Sequence, residues 1–353
     1  MVQEVELRID VTDAAGLDEP AHMTATVVLP DPALLTEGNV VCFAKPGGSY
    51  SRGYYTCELP GPAKGAQAAW HAERGWIFAA IDTLGCGSSS SHDPEALDFA
   101  TVTRAALAAE QEILLRLANG VLLAGYPPVH QPVTIGIGQS LGGSLVIYQQ
   151  AHHQSYDGVA ILGFSAVHSH PATPPGGAPI VVAWYSRDAA RDRPLEPLNA
   201  PALDHATIHG PQEAAWPALA WGFHYDDIPP DVVEQDLLHY EATAHEIEEN
   251  SPFKPEPWMS LRTPHHVARL TLTPGAVATE AAAITVPVLS AMGVRDLVVD
   301  PLGEPRAFRS ARSVDLFICP RLGHMHNFGG TRTLFWERIH SFGEWCAAVK
   351  AVG

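Results

Sequence analysis

Thr-Ile-Gly-Ile-Gly-Gln-Ser-Leu-Gly, residues 134–142, is the stretch that decides the fold of this chain. Its apolar first half, 134–137, predicts a short buried strand, and residues 141–152 predict a helix. Between them lies a Gly-x-Ser-x-Gly pattern, which is typical of a tight turn that pushes the Ser140 hydroxyl into solvent. Gly138 and Gly142 suit such a turn because larger side chains would collide in it.

The same alternation of strand and helix continues on both sides of this stretch. Further strands are predicted at residues 24–29, 39–43, 76–81, 158–162, 286–292 and 314–319. Long helices are predicted at 94–119 and 332–349, because their apolar residues recur on one face. Short apolar strands that alternate with helices indicate a mostly parallel central sheet flanked by helices on both faces. The predicted fold class is therefore α/β.

Residues 165–283 interrupt this pattern. They are rich in Pro, His and Trp, and they contain a weak strand signal at 180–185 and an acidic helix at 230–248. We interpret them as a helical cap inserted before the last strands. The predicted core domain then combines residues 1–164 and 284–353, because the C-terminal segment has too few strands to form a sheet of its own.

Charge and composition exclude several classes of partner. The chain has 21 Lys and Arg residues against 39 Asp and Glu residues, a formal net charge of −18. Neither nucleic acid nor an anionic membrane is expected to bind this surface. We expect no secretory signal, and the sequence contains no run of about 20 apolar residues. The five cysteines show no metal-binding spacing, so we expect a cytoplasmic protein with reduced thiols and with neither a metal nor a cofactor.

On these motifs the chain resembles the α/β-hydrolase superfamily, specifically an esterase-like or lactonase-like member with a serine nucleophile and an inserted cap. The resemblance covers nearly the whole chain outside the cap. It implies a catalytic triad in the chain order Ser, acid, His, with Ser140 as the nucleophile. A serine at this position argues against haloalkane dehalogenase and epoxide hydrolase chemistry, because those relatives use a carboxylate nucleophile.

The resemblance places the catalytic acid in a loop after a late strand. Asp296 follows the strand at 286–292, where the family usually has its acid, and Asp300 is the competitor. Some relatives place the acid one strand earlier. Here the strand at 158–162 is followed by Gly163-Phe164-Ser165 without a carboxylate nearby, which favours Asp296.

The base is expected in the loop after the last strand, and two histidines occur there. His324 follows Gly323 and best fits the family's Gly-His pattern, and His326 remains the alternative. For the oxyanion hole, the resemblance implies the Leu141 N–H as one donor. The second donor is expected to be the Gly48 N–H, with Ser49 as an alternative. Pro46 stands where relatives often carry histidine, so this part of the match is partial.

Aromatic residues of the cap and of the loop after residue 43 suggest the substrate. Tyr50, Trp221 and Trp258 are candidate substrate-binding residues, although cap aromatics can equally form the cap's own core. The predicted function is hydrolysis of a hydrophobic or aromatic carboxylic ester or lactone through an acyl-enzyme. The alternatives are hydrolysis of a carbon–carbon bond in a diketone-type substrate, amide hydrolysis or acyl transfer, and ligand binding without catalysis. We also consider a homodimer.

Overall fold

A single mixed sheet organises the part of the chain that the structure describes. The computed structural model describes residues 1–177, 180–189, 195–205, 216–244 and 254–353. The strands are β1 (Gln3–Asp10), β2 (His22–Leu29), β3 (Val40–Lys45), β4 (Ile77–Ile81), β5 (Val133–Gln139), β6 (Gly158–Leu162), β7 (Val288–Gly293) and β8 (Val314–Cys319). Their order across the sheet is β1-β2-β4-β3-β5-β6-β7-β8.

Helices flank this sheet and form the insertion. They are α1 (Thr12–Ala15), α2 (Gly53–Thr56), α3 (Gln67–Ala72), α4 (Phe99–Ala118), α5 (Leu141–His153), α6 (Ala200–His205), α7 (Trp216–Phe223), α8 (Pro230–Ala244), α9 (His265–Thr271), α10 (Ala278–Ala283) and α11 (Arg332–Val352). The strands from β4 across to β8 are parallel, whereas β1 and β2 are antiparallel to their neighbours. The predicted α/β fold with a mostly parallel, helix-flanked sheet is confirmed.

The sequence analysis missed strand β1. It pairs along its full length with β2, from Gln3 opposite Leu29 to Asp10 opposite His22. Its side chains alternate between charged and apolar, and most of them are exposed. A charged, solvent-facing edge strand protects a sheet from pairing with other chains, but it lacks the apolar run by which the other strands were predicted.

The core consists of two apolar layers, one on each face of the sheet. Helices α4 and α5 cover one face, and α3 and α11 cover the other. Val27 and Val28 are both completely buried and belong to opposite layers, because successive side chains of a strand point to opposite faces. The central strands are therefore mostly apolar, and loops extend from their carboxyl ends.

Helices α6 to α10 lie between β6 and β7, as predicted for a cap inserted before the last strands. Residues 180–185 were a weakly predicted strand, but the structure has no regular element there. The predicted acidic helix is observed as α8 up to Ala244, and the remainder of that prediction lies outside the described residues. Helices α9 and α10 pack against α5 through the core layer, so the last part of the insertion is joined closely to the core.

Among the described residues, no helix combines the length and the apolar character needed to cross a bilayer.

Candidate active site

Ser140 occupies a strained turn between β5 and α5. Its backbone has φ 53° and ψ −121°, a conformation that non-glycine residues rarely adopt and that costs about 1–3 kcal/mol. The Ser140 N–H donates to the Leu162 oxygen at 2.8 Å, which ties the turn to β6. A Cβ atom added at Gly142 would collide with the backbone oxygen of Lys45. The strand–turn–helix geometry that the motif predicts is therefore present.

Asp296 lies buried in the loop after β7, with its carboxylate held by the backbone. The Gly293 N–H donates to Oδ2 at 2.8 Å, and the Leu297 N–H donates to Oδ1 at 2.7 Å. Asp300, the competing candidate, is exposed and accepts a bond from the Gly303 N–H at 3.1 Å. Asp300 therefore stabilises a turn, and it is Asp296 that the fold directs inward.

Both candidate histidines bind the Asp296 carboxylate, each on a different oxygen. His324 Nδ1 donates to Oδ1 at 2.6 Å, and His326 Nε2 donates to Oδ2 at 2.9 Å. A Cβ atom at Gly163, whose φ is +59°, would lie 2.9 Å from Asp296 Oδ1 and 3.0 Å from His324 Nδ1. Glycine is therefore required where β6 ends, because the acid and the histidines pack directly against its backbone.

Electrostatics keep this carboxylate ionised. Burial alone would raise the pKa of Asp296, but the charge of His324 and the hydrogen bonds from both histidines outweigh it and hold that pKa well below its usual range. Burial lowers the pKa of His326, because desolvation of the imidazolium exceeds the attraction of Asp296. At neutral pH, His326 is therefore a neutral donor to an anionic acid, and the carboxylate is available to stabilise positive charge on His324.

Gln139 contacts the other edge of the His324 ring. Its Nε2 lies 3.1 Å from His324 Nε2 and 3.2 Å from the His324 backbone oxygen. Ser140, the next residue in the chain, makes no side-chain hydrogen bond to any described residue. The structure thus brings Asp296, His324 and the turn at Ser140 together, with the Gln139 amide on the ring nitrogen that would act as the base. The sequence analysis assigned no role to Gln139, because it occupies an unrestricted position of the motif.

Two backbone N–H groups are available as oxyanion donors. Neither the Leu141 N–H nor the Gly48 N–H bonds to another described residue. A Cβ atom at Gly48 would lie 3.4 Å from Leu141 Cδ1, so the two loops are adjacent. The Ser49 N–H, the alternative donor, already donates to Thr263 Oγ1 at 3.0 Å. The arrangement therefore favours Leu141 and Gly48, because a backbone N–H group without a partner is available to bind an anion.

The predicted substrate-binding aromatics each make contacts of their own. Tyr50 is buried and donates from its hydroxyl to Asp236 Oδ2 at 2.8 Å. The Trp258 ring packs on Phe328 at 6.1 Å, and the Trp221 ring lies 4.6 Å from the Arg295 guanidinium. Their role in substrate binding stays a prediction.

The cap contacts the loop of the two histidines directly. At the end of α7, the Gly222 oxygen accepts from the His324 N–H at 2.9 Å, and the Phe223 oxygen accepts from the Met325 N–H at 2.8 Å. The Phe223 ring lies 4.9 Å from the His324 ring. His224 in turn donates to Asp236 at 2.9 Å. Sequence reasoning missed these contacts because no local pattern marks them.

A cavity of about 1270 Å³ opens beside Ser49, which follows Gly48. Its wall includes Glu6, Ser49, Arg52 and Thr263. Arg52 is neutralised there by Glu6 and by the buried Asp82. Neither Ser140 nor His324 lines this cavity. The described part of the chain holds no group of three or more His, Cys, Asp or Glu side chains arranged to bind a metal ion.

Comparison with known proteins identifies the family. A family model described as the alpha/beta hydrolase family matches residues 40–333, which include Ser140, Asp296 and His324. A search of curated proteins found no match.

Solved structures share the whole fold at low sequence identity. An esterase from Rhodococcus sp. ECU1013 is 16% identical, with a TM-score of 0.54, and the match covers 97% of this chain and 98% of the esterase. The proline iminopeptidase of Mycobacterium smegmatis is 17% identical, with a TM-score of 0.58 and coverage of 98% and 99%. A loop variant of a haloalkane dehalogenase from Bradyrhizobium elkanii is 15% identical, with a TM-score of 0.52 and coverage of 99% of both chains. Because these proteins differ in chemistry, the likeness establishes the fold and not the reaction.

Proposed function

This chain belongs to the alpha/beta hydrolase family, and from that premise we propose that it is a serine hydrolase that cleaves a carboxylic ester or lactone of a hydrophobic or aromatic substrate. The observation that carries the proposal is the 2.6 Å bond between His324 Nδ1 and Asp296 Oδ1, next to the turn that raises Ser140. That bond fixes the tautomer of His324, because an ionised carboxylate can only accept. His324 Nε2 therefore carries the lone pair that a general base needs.

In the first half of the proposed reaction, Ser140 Oγ attacks the substrate carbonyl carbon. The serine proton moves to His324 Nε2, and the electron pair of the carbonyl bond moves to its oxygen. The N–H groups of Leu141 and Gly48 stabilise this oxyanion. When the carbonyl bond re-forms, the bond to the alcohol oxygen breaks, and that oxygen takes the proton from His324. The product is an acyl-enzyme on Ser140.

Water completes the proposed reaction by the same route. His324 removes a proton from water as its oxygen attacks the acyl carbon, and the second oxyanion forms in the same hole. Its collapse breaks the bond to Ser140 Oγ, which recovers the proton from His324 and releases the carboxylic acid. Asp296 stays ionised throughout and stabilises the imidazolium in both halves.

Apolar side chains around the reacting groups support a hydrophobic acyl or alcohol group. Leu141 and Phe223 are both buried, and Phe223 packs on the His324 ring. Met325, next to His324, is buried as well. Exclusion of water by such groups strengthens the electrostatic interactions on which the proposed reaction depends.

Covalent labelling tests the proposal directly. A fluorophosphonate probe should label the wild-type protein at Ser140, and p-nitrophenyl esters of rising chain length should be hydrolysed. S140A should lose labelling and about 10⁶-fold in kcat. S144A is the matched control, because the Ser144 hydroxyl donates to the Leu141 oxygen at 2.6 Å within the same helix. Labelling of S140A equal to that of the wild type, or no labelling of either, would refute the proposal. Aromatic lactones and diketones in the same panel distinguish ester cleavage from carbon–carbon cleavage.

We also propose a cytoplasmic location. All five cysteines are free, and four of them are buried, which suits a reducing compartment. Localisation of a fluorescently tagged full chain would test this, and accumulation in an oxidising compartment would contradict it.

A further inference from the structure

Gln139, between Gly138 and the proposed nucleophile, has its amide nitrogen on the proposed base. This nitrogen lies 3.1 Å from His324 Nε2 and 3.2 Å from the His324 backbone oxygen. The Gln139 side chain is 1% exposed, so bulk water does not compete for these contacts. The proposed reaction does not use this residue.

The His324 backbone oxygen determines which end of the amide faces the ring. A carbonyl oxygen only accepts hydrogen bonds, so the Gln139 nitrogen must be the atom that lies on it. That nitrogen has a second N–H, which faces His324 Nε2. Because His324 Nδ1 already donates its proton to Asp296, Nε2 accepts from Gln139. The lone pair that Ser140 would use is therefore bonded to Gln139.

The hydrogen bond from Gln139 to His324 Nε2 can form only while the imidazole is neutral. Once His324 is protonated, its Nε2–H faces the Gln139 N–H, and two donors oppose each other. The Gln139 oxygen is buried and has no hydrogen-bond partner among the described residues. The Gln139 oxygen lies against the loop that carries Gly47 and Gly48, and a Cβ atom at Gly47 would collide with it. The Gln139 amide must therefore leave Nε2 before the ring is protonated, because a half-turn in place would set its oxygen against the His324 backbone oxygen.

On the basis of the serine hydrolase function above, we propose that Gln139 is a positioning residue that holds the His324 lone pair in the resting enzyme and releases it to Ser140 when the substrate is bound. Gln139 stabilises neutral His324 before the reaction.

The charged and titratable surroundings of His324 are simple enough for a pH measurement. Asp296 binds its Nδ1, and His326 reaches only the second oxygen of Asp296. From α7, the residue packed on the ring is the apolar Phe223. The Arg295 guanidinium, although next to Asp296 in the chain, binds Asp226 at 2.7 Å. A change at Gln139 therefore acts on the base without removing a charged neighbour.

The test is the pH dependence of kcat/KM and of fluorophosphonate labelling for Q139M and Q139E. Q139M removes the donor and should move the acid limb to higher pH by about half to one unit. Above that limb, labelling of Ser140 should be several-fold faster than in the wild type, because Ser140 no longer competes for the lone pair. Q139E supplies an acceptor and should move the limb further in the same direction. Q67M is the matched control, since Gln67 is an equally buried glutamine on α3, and its limb should coincide with that of the wild type.

This inference alone would be overturned by an acid limb for Q139M that coincides with the wild-type limb while wild-type Ser140 is labelled normally. If Q139M does not fold, Q139E decides, and an unshifted limb in that variant has the same meaning. A wild-type protein that is neither labelled nor active would instead refute the proposed function and this inference with it.

Discussion

His326 donates from Nε2 to Asp296 Oδ2 at 2.9 Å, on the carboxylate oxygen that His324 does not use. The His326 ring is 2% exposed and lies 4.2 Å from the Phe335 ring of α11. This geometry separates the two histidines, which sequence reasoning left as alternatives. His324 lies between the acid and the turn that carries Ser140, whereas His326 lies between the acid and the core.

Substitution of His324 should therefore reduce catalytic activity far more than substitution of His326. H324A removes the proposed base, and kcat should fall by about 10⁶-fold. H326F keeps a ring but removes the hydrogen bond to a buried carboxylate, which contributes about 1.5–3 kcal/mol, so kcat/KM should fall by roughly 10-fold to 100-fold. Steady-state kinetics with one p-nitrophenyl ester compares them. A loss for H326F as large as that for H324A would contradict the assignment of His324 as the base.

The two carboxylates of the same loop provide a matched pair for the acid. D296N keeps the shape of the side chain but removes its charge, and kcat should fall by about 10⁴-fold, as in other triads. D300N changes an exposed turn residue and should leave kcat within about twofold. The low pKa of Asp296 also means that its ionisation should not limit activity between pH 5 and 8. If D300N were the inactive variant, Asp300 would be the acid.

Sequence reasoning could identify the candidate site because its signals are local. The turn at Ser140 depends on residues within two positions of it, and Asp296 and His324 each follow a strand whose apolar run is easily recognised. The side of Asp296 on which each histidine lies depends on the path of the loop after β8, and no spacing encodes that path. The role of Gln139 could not be predicted either, because its contact with His324 joins residues 185 positions apart in the chain.

Strands that are buried on both faces could be predicted from the sequence, whereas the edge strand β1, which is mostly exposed, could not. Strands β3, β5 and β6 are mostly apolar because both of their faces are covered. Strand β1 alternates charged and apolar residues as an edge strand, and it was missed. Lys45 is a second residue whose burial the sequence does not reveal. A lysine at the end of a strand suggests exposure, yet its side chain is 3% exposed and pairs with Glu110 of α4.

This buried ion pair leads to a prediction about stability. The Tyr156 hydroxyl donates to Glu110, and Gln149 donates to it at 2.7 Å. E110Q would leave the Lys45 ammonium buried without its counter-ion, and the free energy of unfolding should fall by about 3–5 kcal/mol. K45M/E110M removes both charges and should lose less than E110Q alone. Urea unfolding monitored by tryptophan fluorescence measures both.

The control for that prediction lies on the same helix. Glu112 of α4 pairs with Arg116 at 2.7 Å, and both side chains are about one-third exposed, at 35% and 33%. E112Q should cost less than about 1 kcal/mol, because water screens an exposed pair. If E110Q and E112Q cost the same, burial of the Lys45–Glu110 pair would have no energetic consequence.

A last prediction concerns stability at acidic pH and rests on His71. This residue is completely buried between the rings of Trp76 and Phe78, with His340 at 3.2 Å. Burial lowers the pKa of His71 well below its usual range, and the neighbouring His340 adds to the effect. In the unfolded chain the ring titrates near 6.5. As the pH falls below about 6.5, the unfolded state therefore binds a proton that the folded state does not, and stability decreases by about 1.4 kcal/mol per pH unit for that proton.

H71F retains a ring in the same stack and should reduce this slope by close to one proton between pH 6.5 and 5. H130Q, at an exposed histidine, should leave it unchanged. Urea unfolding at a series of pH values gives the slopes, and equal slopes for H71F and the wild type would show that His71 is protonated in the folded protein.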